Sequence, residues 1–205
     1  MLWLLLAPIA LVALALTRTA SGAAALPRPH AKSWGVPFAA TVGRVWPVPA
    51  EPRLVAYTDV SGVVHGNGGV AFHASREGGT RHHAGIDLPC APGDAIVAME
   101  DGVVLGSIPG FVKLDAVVVQ HSRCVAVYAE VAFGLAALGL KKGDRVKAGQ
   151  TIAKGALNYE GHSMLHLETW AIGHAPAMYT PWRVGSPPPE GLLDPTEYLL
   201  TLAAG

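Results

Sequence analysis

Between residues 51 and 172 the apolar residues come in short runs separated by Gly, Asp, Pro or charged residues. The clearest are Leu54-Val55-Ala56-Tyr57, Gly69-Val70-Ala71-Phe72, Ala95-Ile96-Val97-Ala98, Gly102-Val103-Val104-Leu105, Ala116-Val117-Val118-Val119-Gln120 and Cys124-Val125-Ala126-Val127-Tyr128. Such runs, rich in β-branched residues and punctuated by turn formers, predict an all-β sandwich or barrel rather than a helical domain. Abundant Gly and Pro point the same way.

Flanking segments differ in texture. Residues 1–25 open with an apolar run, Leu2 to Leu16, interrupted only by Pro8. It is shorter than the ~20 residues of a membrane-spanning helix. The small residues Thr19 to Ala25 after it resemble a cleavage region. A cleaved signal peptide is the first expectation and an uncleaved N-terminal anchor the second. Either one implies export to the periplasm, the cell envelope or the medium. Residues 26–50, rich in Pro and Ala, read as a linker. Residues 173–205 read as a C-terminal extension of Pro-rich coil ending in a short helix, with Asp194 as N-cap, Pro195 at the first helical position and Glu197 at the third. Lys141 to Gln150 carries two turn signals, Gly143-Asp144 and Ala148-Gly149, with Val146 pointing inward between them. Phe133 to Leu140 reads as a short helical turn or loop.

Composition narrows the function classes. Hydrophobic residues make up 51% of the 205 and charged residues 15%, enough apolar material for a core. Basic and acidic residues both number 15, which removes the bulk electrostatic case for nucleic acid. The two cysteines, Cys90 and Cys124, either pair or stay as buried thiols, and they lack the spacing of a cysteine zinc site.

Chemistry concentrates in two stretches. In Arg81-His82-His83-Ala84-Gly85-Ile86-Asp87-Leu88, His83 and Asp87 are four apart and would share one face of a strand. In Ser163-Met164-Leu165-His166-Leu167-Glu168, Met164, His166 and Glu168 share a face while Leu165 and Leu167 fill a core. Neighbouring strands would bring two imidazoles and one carboxylate to one point. Three protein ligands with a fourth position open is the usual arrangement of catalytic zinc. Glu168 would support the metal from behind by orienting an imidazole. A His-x-x-x-Asp pair alone is weak, since two exposed polar residues would look the same.

The surrounding words resemble the lysostaphin-type (LytM-type) zinc endopeptidases, which cut peptide bonds in bacterial peptidoglycan. The similarity runs from about Trp46 to Trp170. It includes Trp46-Pro47-Val48-Pro49, His83 to Leu88, Gly93 to Ala98, Asp101 to Val104, Val117 to His121, Tyr128-Ala129, Gly143 to Ile152 and Leu165 to Glu168. The resemblance implies a compact antiparallel β core with a substrate groove and little helix. It also implies Zn²⁺ held by His83, Asp87 and His166, and peptidoglycan stem or cross-bridge peptides as partners. The membrane would be met only through an uncleaved N-terminal segment.

Two departures stand out. Members commonly carry a catalytic His two residues before the last zinc ligand, where this chain has Met164. They also commonly carry a His after Tyr-Ala, where this chain has Glu130. The first expectation is therefore an enzyme of variant outfit. Glu130, on the same strand face as Tyr128, would be the general base, and Met164 a packing residue at the groove wall. The alternative is an inactive peptidoglycan-binding or envelope-partner-binding protein of the same fold. Open three-ligand sites favour the enzyme, because structural zinc is usually closed by four ligands.

The other histidines and aromatics read as ordinary. His162 reads first as a loop residue near the metal motif and second as a groove residue that contacts substrate or replaces the lost base; His121 caps a strand end; His73, His82 and His174 read first as solvated or half-buried and second as groove residues. Arg76 and Arg81 flank a Gly78-Gly79 turn and read first as a solvated loop and second as a contact for an anionic part of the substrate. Trp46, Tyr128, Trp170, Tyr179 and Trp182 suit core or rim packing. The Gly143 to Ile152 stretch also resembles the turn of biotinyl and lipoyl carrier domains, but no lysine of the chain stands in the carrier context.

Overall fold

The computed structural model describes residues 43–50, 52–59, 61–132, 134–179 and 181–203. The expected signal peptide or anchor (1–25) and most of the expected linker (26–50) lie outside the described residues. Among those described, no helix is long and apolar enough to cross a membrane.

The described residues form fourteen short strands and one α-helix. The strands are β1 (Tyr57–Thr58), β2 (Val64–His65), β3 (Ser75–Arg76), β4 (Arg81–His82), β5 (Ile86–Pro89), β6 (Ala95–Val97), β7 (Gly102–Phe111), β8 (Leu114–Gln120), β9 (Val125–Ala132), β10 (Arg145–Val146), β11 (Thr151–Gly155), β12 (Met164–Trp170), β13 (Trp182–Arg183) and β14 (Leu192–Leu193). The helix is α1 (Thr196–Ala203). The protein is mainly β and antiparallel, as the short apolar runs predict.

Nine strands make one sheet in the order β10-β7-β8-β9-β11-β6, and β12 branches from β9 to carry β5 and β14. The branch positions the site. One edge of β9 pairs with β8. Its other edge is shared: β12 takes Val125 to Ala129, and β11 takes Val131 and Ala132. Glu130 stands between the two partners. There the β8 register also slips, from Ala116 opposite Ala129 to Asp115 opposite Val131, which is a bulge.

Side-chain alternation fills both faces of the sheet. Val117, Val119, Ala126, Tyr128, Leu165 and Leu167 enter the main core, which α1 covers with Tyr198, Leu199 and Leu202. Ala116, Val118, Val125, Val127, Ala129 and Trp170 form a second apolar cluster with Ile108 and Phe111. At ~25 cal/mol per Å² of apolar surface buried, such side chains supply most of the driving force for the fold.

Several expectations need correction. Leu54 to Tyr57 is not a strand: only Tyr57–Thr58 pairs, and Leu54 is exposed. Gly69 to Phe72 is not one either, since Gly68–Val70 forms a 3-10 turn capped by Asn67. Trp46 and Val48, placed in the linker, are buried in the main core. The helix expected at the end of the C-terminal extension is α1, and it packs into that same core through Tyr198, Leu199 and Leu202. Its start has the expected chemistry: Asp194 Oδ1 accepts the Thr196 N–H at 2.8 Å. Val146 is buried beside the Gly143-Asp144 turn, and Leu135–Leu138 forms a 3-10 turn.

Candidate metal centre

His166 lies on β12 with Leu165 and Leu167 anchored in the main core, so its imidazole projects to the opposite face. Asp87 is its direct neighbour on β5, where Ile86 and Leu88 serve as core anchors. His83 is not on that strand. It sits in the link between β4 and β5, outside both, so strand parity alone does not align it with Asp87. Its backbone is instead held by the preceding segment: His83 N donates to Ala74 O and His73 N donates to His83 O, both at 2.8 Å.

Three donor atoms meet at this point. His83 Nε2 is 3.0 Å from Asp87 Oδ1, His166 Nδ1 is 2.9 Å from the same oxygen, and the two nitrogens are 3.0 Å apart. All three residues are buried. Gly85 permits the approach, because a Cβ there would stand 2.5 Å from Leu167 O and 2.9 Å from His166 Cε1.

The outer hydrogen bonds select the imidazole tautomers. Ala71 O lies 2.8 Å from His83 Nδ1, so a proton on Nδ1 donates to the carbonyl and leaves Nε2 with its lone pair inward. Glu168 Oε1 lies 3.2 Å from His166 Nε2, which leaves Nδ1 inward in the same way. Trp170 Nε1 donates to Glu168 Oε2 at 2.9 Å and fixes that carboxylate. Carbonyl or carboxylate support behind each imidazole is the usual companion of metal ligation.

The donor set fits a small divalent cation. Four ligands at about 2.0 Å in a tetrahedron stand about 3.3 Å apart, close to the edges of this triangle. Imidazole and carboxylate donors suit zinc among divalent metals.

The electrostatics show how much this cluster calls for positive charge. Burial opposes ionisation of Asp87, yet hydrogen bonds from His166 and His83 hold its carboxyl far below the usual range. Burial likewise opposes a charged His166, but the hydrogen bonds to Asp87 and Glu168 outweigh it and push the imidazole up to about 10. Burial keeps the His83 imidazole below its usual value.

The cluster opens on a cavity of about 430 Å³. Met164, Glu130, His162 and Tyr179 line it with the three donors. Glu130 reaches it by a route that simple alternation misses. Two residues after Tyr128 it should share the core face with that residue, but Val131 takes the core position instead. Glu130 has φ +59° at the bulge, a left-handed conformation rare outside glycine, and this turns its side chain toward the cavity. Asn158 Nδ2 donates to Glu130 Oε2 at 3.2 Å. The Asn158 amide is oriented by its other end, where Oδ1 accepts the backbone N–H groups of Glu160 and His162, each at 3.0 Å. The β7–β8 hairpin tip forms another wall, with Val112 and Lys113 at positive φ, and Lys113 Nζ stands 4.5 Å over the Tyr159 ring.

Residues 81–177 match the model of peptidase family M23. These residues are an M23 domain. Their span holds His83, Asp87, Glu130, Met164, His166 and Glu168. Among solved structures the chain is similar to the antimicrobial peptidase lysostaphin from Staphylococcus simulans, at 17% identity over 66% of this chain and 50% of that one, with a TM-score of 0.48. It is similar to the catalytic domain of a mutant of the prophage-encoded M23 protein EnpA from Enterococcus faecalis, at 20% identity over 59% of this chain and 83% of that one, with a TM-score of 0.42. It is also similar to Csd3 from Helicobacter pylori, at 22% identity over 70% of this chain and 37% of that one, with a TM-score of 0.42. The chain thus spans half the length of lysostaphin. No curated protein matches the sequence.

Within the M23 domain and just before it, the remaining residues fall as follows. Arg76 is not a solvated loop residue: Nη2 donates to Asp87 Oδ2 at 2.8 Å and stands 2.9 Å from His83 Nδ1, and Nη1 donates to Gly69 O. The Gly78-Gly79 turn was the available signal, since it folds β3 back on β4 and returns Arg76 to the cluster. Arg81 pairs with Glu77 at 2.7 Å. His121 is buried against Tyr128, with Nε2 2.8 Å from the phenol oxygen. His73 and His82 stack at 4.1 Å beside Trp182. Cys90 and Cys124 are free thiols, and burial pushes Cys124 up to about 12. Asn158 carried no sequence signal of its own.

Proposed function

We propose that the chain is a zinc-dependent endopeptidase that hydrolyses peptide bonds of bacterial peptidoglycan stems or cross-bridges. The observation that carries the reading is the triangle of His83, Asp87 and His166 donor atoms, 2.9–3.0 Å on each edge, at the wall of a cavity also lined by Glu130. The family match supports a peptidase. In this reading the three residues hold Zn²⁺. When bound, such an ion supplies Lewis acidity at a carbonyl oxygen and makes water acidic enough to act as a nucleophile near neutral pH.

The remaining roles belong to the protein's own groups. Glu130 is the general base, accepting the proton that the attacking water gives up and returning it to the leaving amine. Asn158 holds Glu130 Oε2, and among the described residues Oε1 accepts no hydrogen bond, so it is the oxygen assigned to the proton. Glu168 orients His166 from behind. Met164 contributes apolar wall at the place where related peptidases carry a histidine. Substrates of this kind lie outside the cytoplasm, in keeping with an N-terminal export segment.

The test is incubation of the zinc-loaded protein with purified peptidoglycan, scoring new amino termini. Wild type is expected to release them. Glu130→Gln with zinc retained should be slower by about 10²–10⁴-fold. Unchanged hydrolysis in that variant would remove Glu130 from the mechanism. No new termini from wild type on any of several wall types would replace the enzyme with an inactive wall-binding protein.

A further inference from the structure

The carboxylate of Asp87 is divided between two partners. Oδ1 faces the two imidazole nitrogens, and Oδ2 accepts from Arg76 Nη2 at 2.8 Å. The other end of the same guanidinium donates to Gly69 O. Arg76 is therefore anchored at two points, with its side chain 21% exposed against 9% for Asp87. A planar fork held in this way presents a fixed donor, which a lysine ammonium does not.

We propose that Arg76 is a positioning residue of the metal centre: it occupies Asp87 Oδ2 so that the carboxylate offers a single oxygen, Oδ1, to the ion. The inference rests on the reading of His83, Asp87 and His166 as zinc ligands. Two opposing effects decide its sign. Arg76 carries a positive charge close to the place of a cation, which alone would weaken metal binding. It also removes the freedom of Asp87 to rotate or to chelate through both oxygens, which would crowd the position needed for substrate. Outer partners of this kind typically contribute about 10–100-fold to metal affinity. The anchored geometry makes the orienting effect the larger one.

The experiment measures zinc affinity by chelator competition on the full chain, and the visible absorption of the cobalt-substituted protein. Wild type should bind zinc and give the intense cobalt bands of four-coordination. Arg76→Met should bind zinc about 10–100-fold more weakly and give the weaker bands of higher coordination as Asp87 becomes bidentate. Arg76→Lys keeps the charge but cannot span Gly69 O and Asp87 together. It should fall between the two, and it decides the matter if Arg76→Met fails to fold. Wild-type affinity and spectrum in the lysine variant, or tighter zinc binding in either variant, would overturn the inference and leave the ligand set standing. A wild-type chain that ignores zinc would overturn both.

Discussion

Two buried clusters in this protein are each built around a carboxylate, and they are satisfied in opposite ways. Glu100 is surrounded by donors. Arg44 Nε reaches Oε1 at 2.7 Å, the Tyr198 hydroxyl donates to Oε1 at 2.9 Å, and the Ser122 hydroxyl donates to Oε2 at 2.7 Å. Every group there brings its own hydrogen, and the result ties the segment before β1 and helix α1 to the sheet. At Asp87 the inner partners are two imidazole nitrogens, which turn either a proton or a lone pair toward Oδ1 according to tautomer and charge. Such a triangle is completed only by protons or by a cation. A closed donor shell marks a structural cluster, and converging acceptors mark a site built to receive something positive.

The largest expected effect tests that contrast at the site. Asp87→Asn should lose zinc by more than the about 10–100-fold of an outer-partner change, while the folded protein remains, as read by chelator competition and circular dichroism. Retention of wild-type zinc affinity would make the triangle a structural cluster like the other. The reciprocal change is Glu100→Gln. It takes the charge from a buried carboxylate that Arg44, Ser122 and Tyr198 all hydrogen-bond, and should cost about 3–5 kcal/mol in denaturant unfolding, with zinc affinity unchanged.

The Glu100 cluster also has a pH signature. Burial works to raise the Glu100 carboxyl, but the hydrogen bonds from Ser122 and Tyr198, with Arg44 beside them, hold it below its ordinary value. The unfolded chain therefore takes up this proton first. The stabilisation is complete above the ordinary carboxylate range and is lost as pH falls through that range toward the lower folded value. Glu100→Gln should lack this acid limb. A third, smaller effect lies at Gly85→Ala, where the added carbon meets Leu167 O and the His166 ring. Destabilisation of about 1–3 kcal/mol, together with weaker zinc binding, is expected from the forced shift. A stability loss with zinc affinity intact would show that the backbone around His166 gives way without moving its imidazole.

Much of this molecule was legible in the chain. The β-rich runs from residue 95 onward became β6 to β9 because their alternation matches a sheet with two covered faces. The alternation of Leu165, His166 and Leu167 is enough to aim the imidazole away from the core. The runs at 54–57 and 69–72 looked as strand-like by composition, but only the first gained a partner strand, and only at its end. A strand exists through its neighbours, and the neighbours are not written in the run itself.

The sequence by itself determined the direction of Asp87 and His166, each set between core-anchored isoleucine or leucine neighbours, while His83 reaches them through the pairing of its backbone with Ala74 and His73. Only the tertiary structure decided what surrounds them. One extra residue at the β9 fork turned Glu130 from the core face to the cavity. A glycine turn brought Arg76 back onto Asp87. Side-chain direction along a regular strand follows from local geometry, whereas a bulge and a hairpin return depend on which strands pair across the sheet, and that is a property of the whole fold.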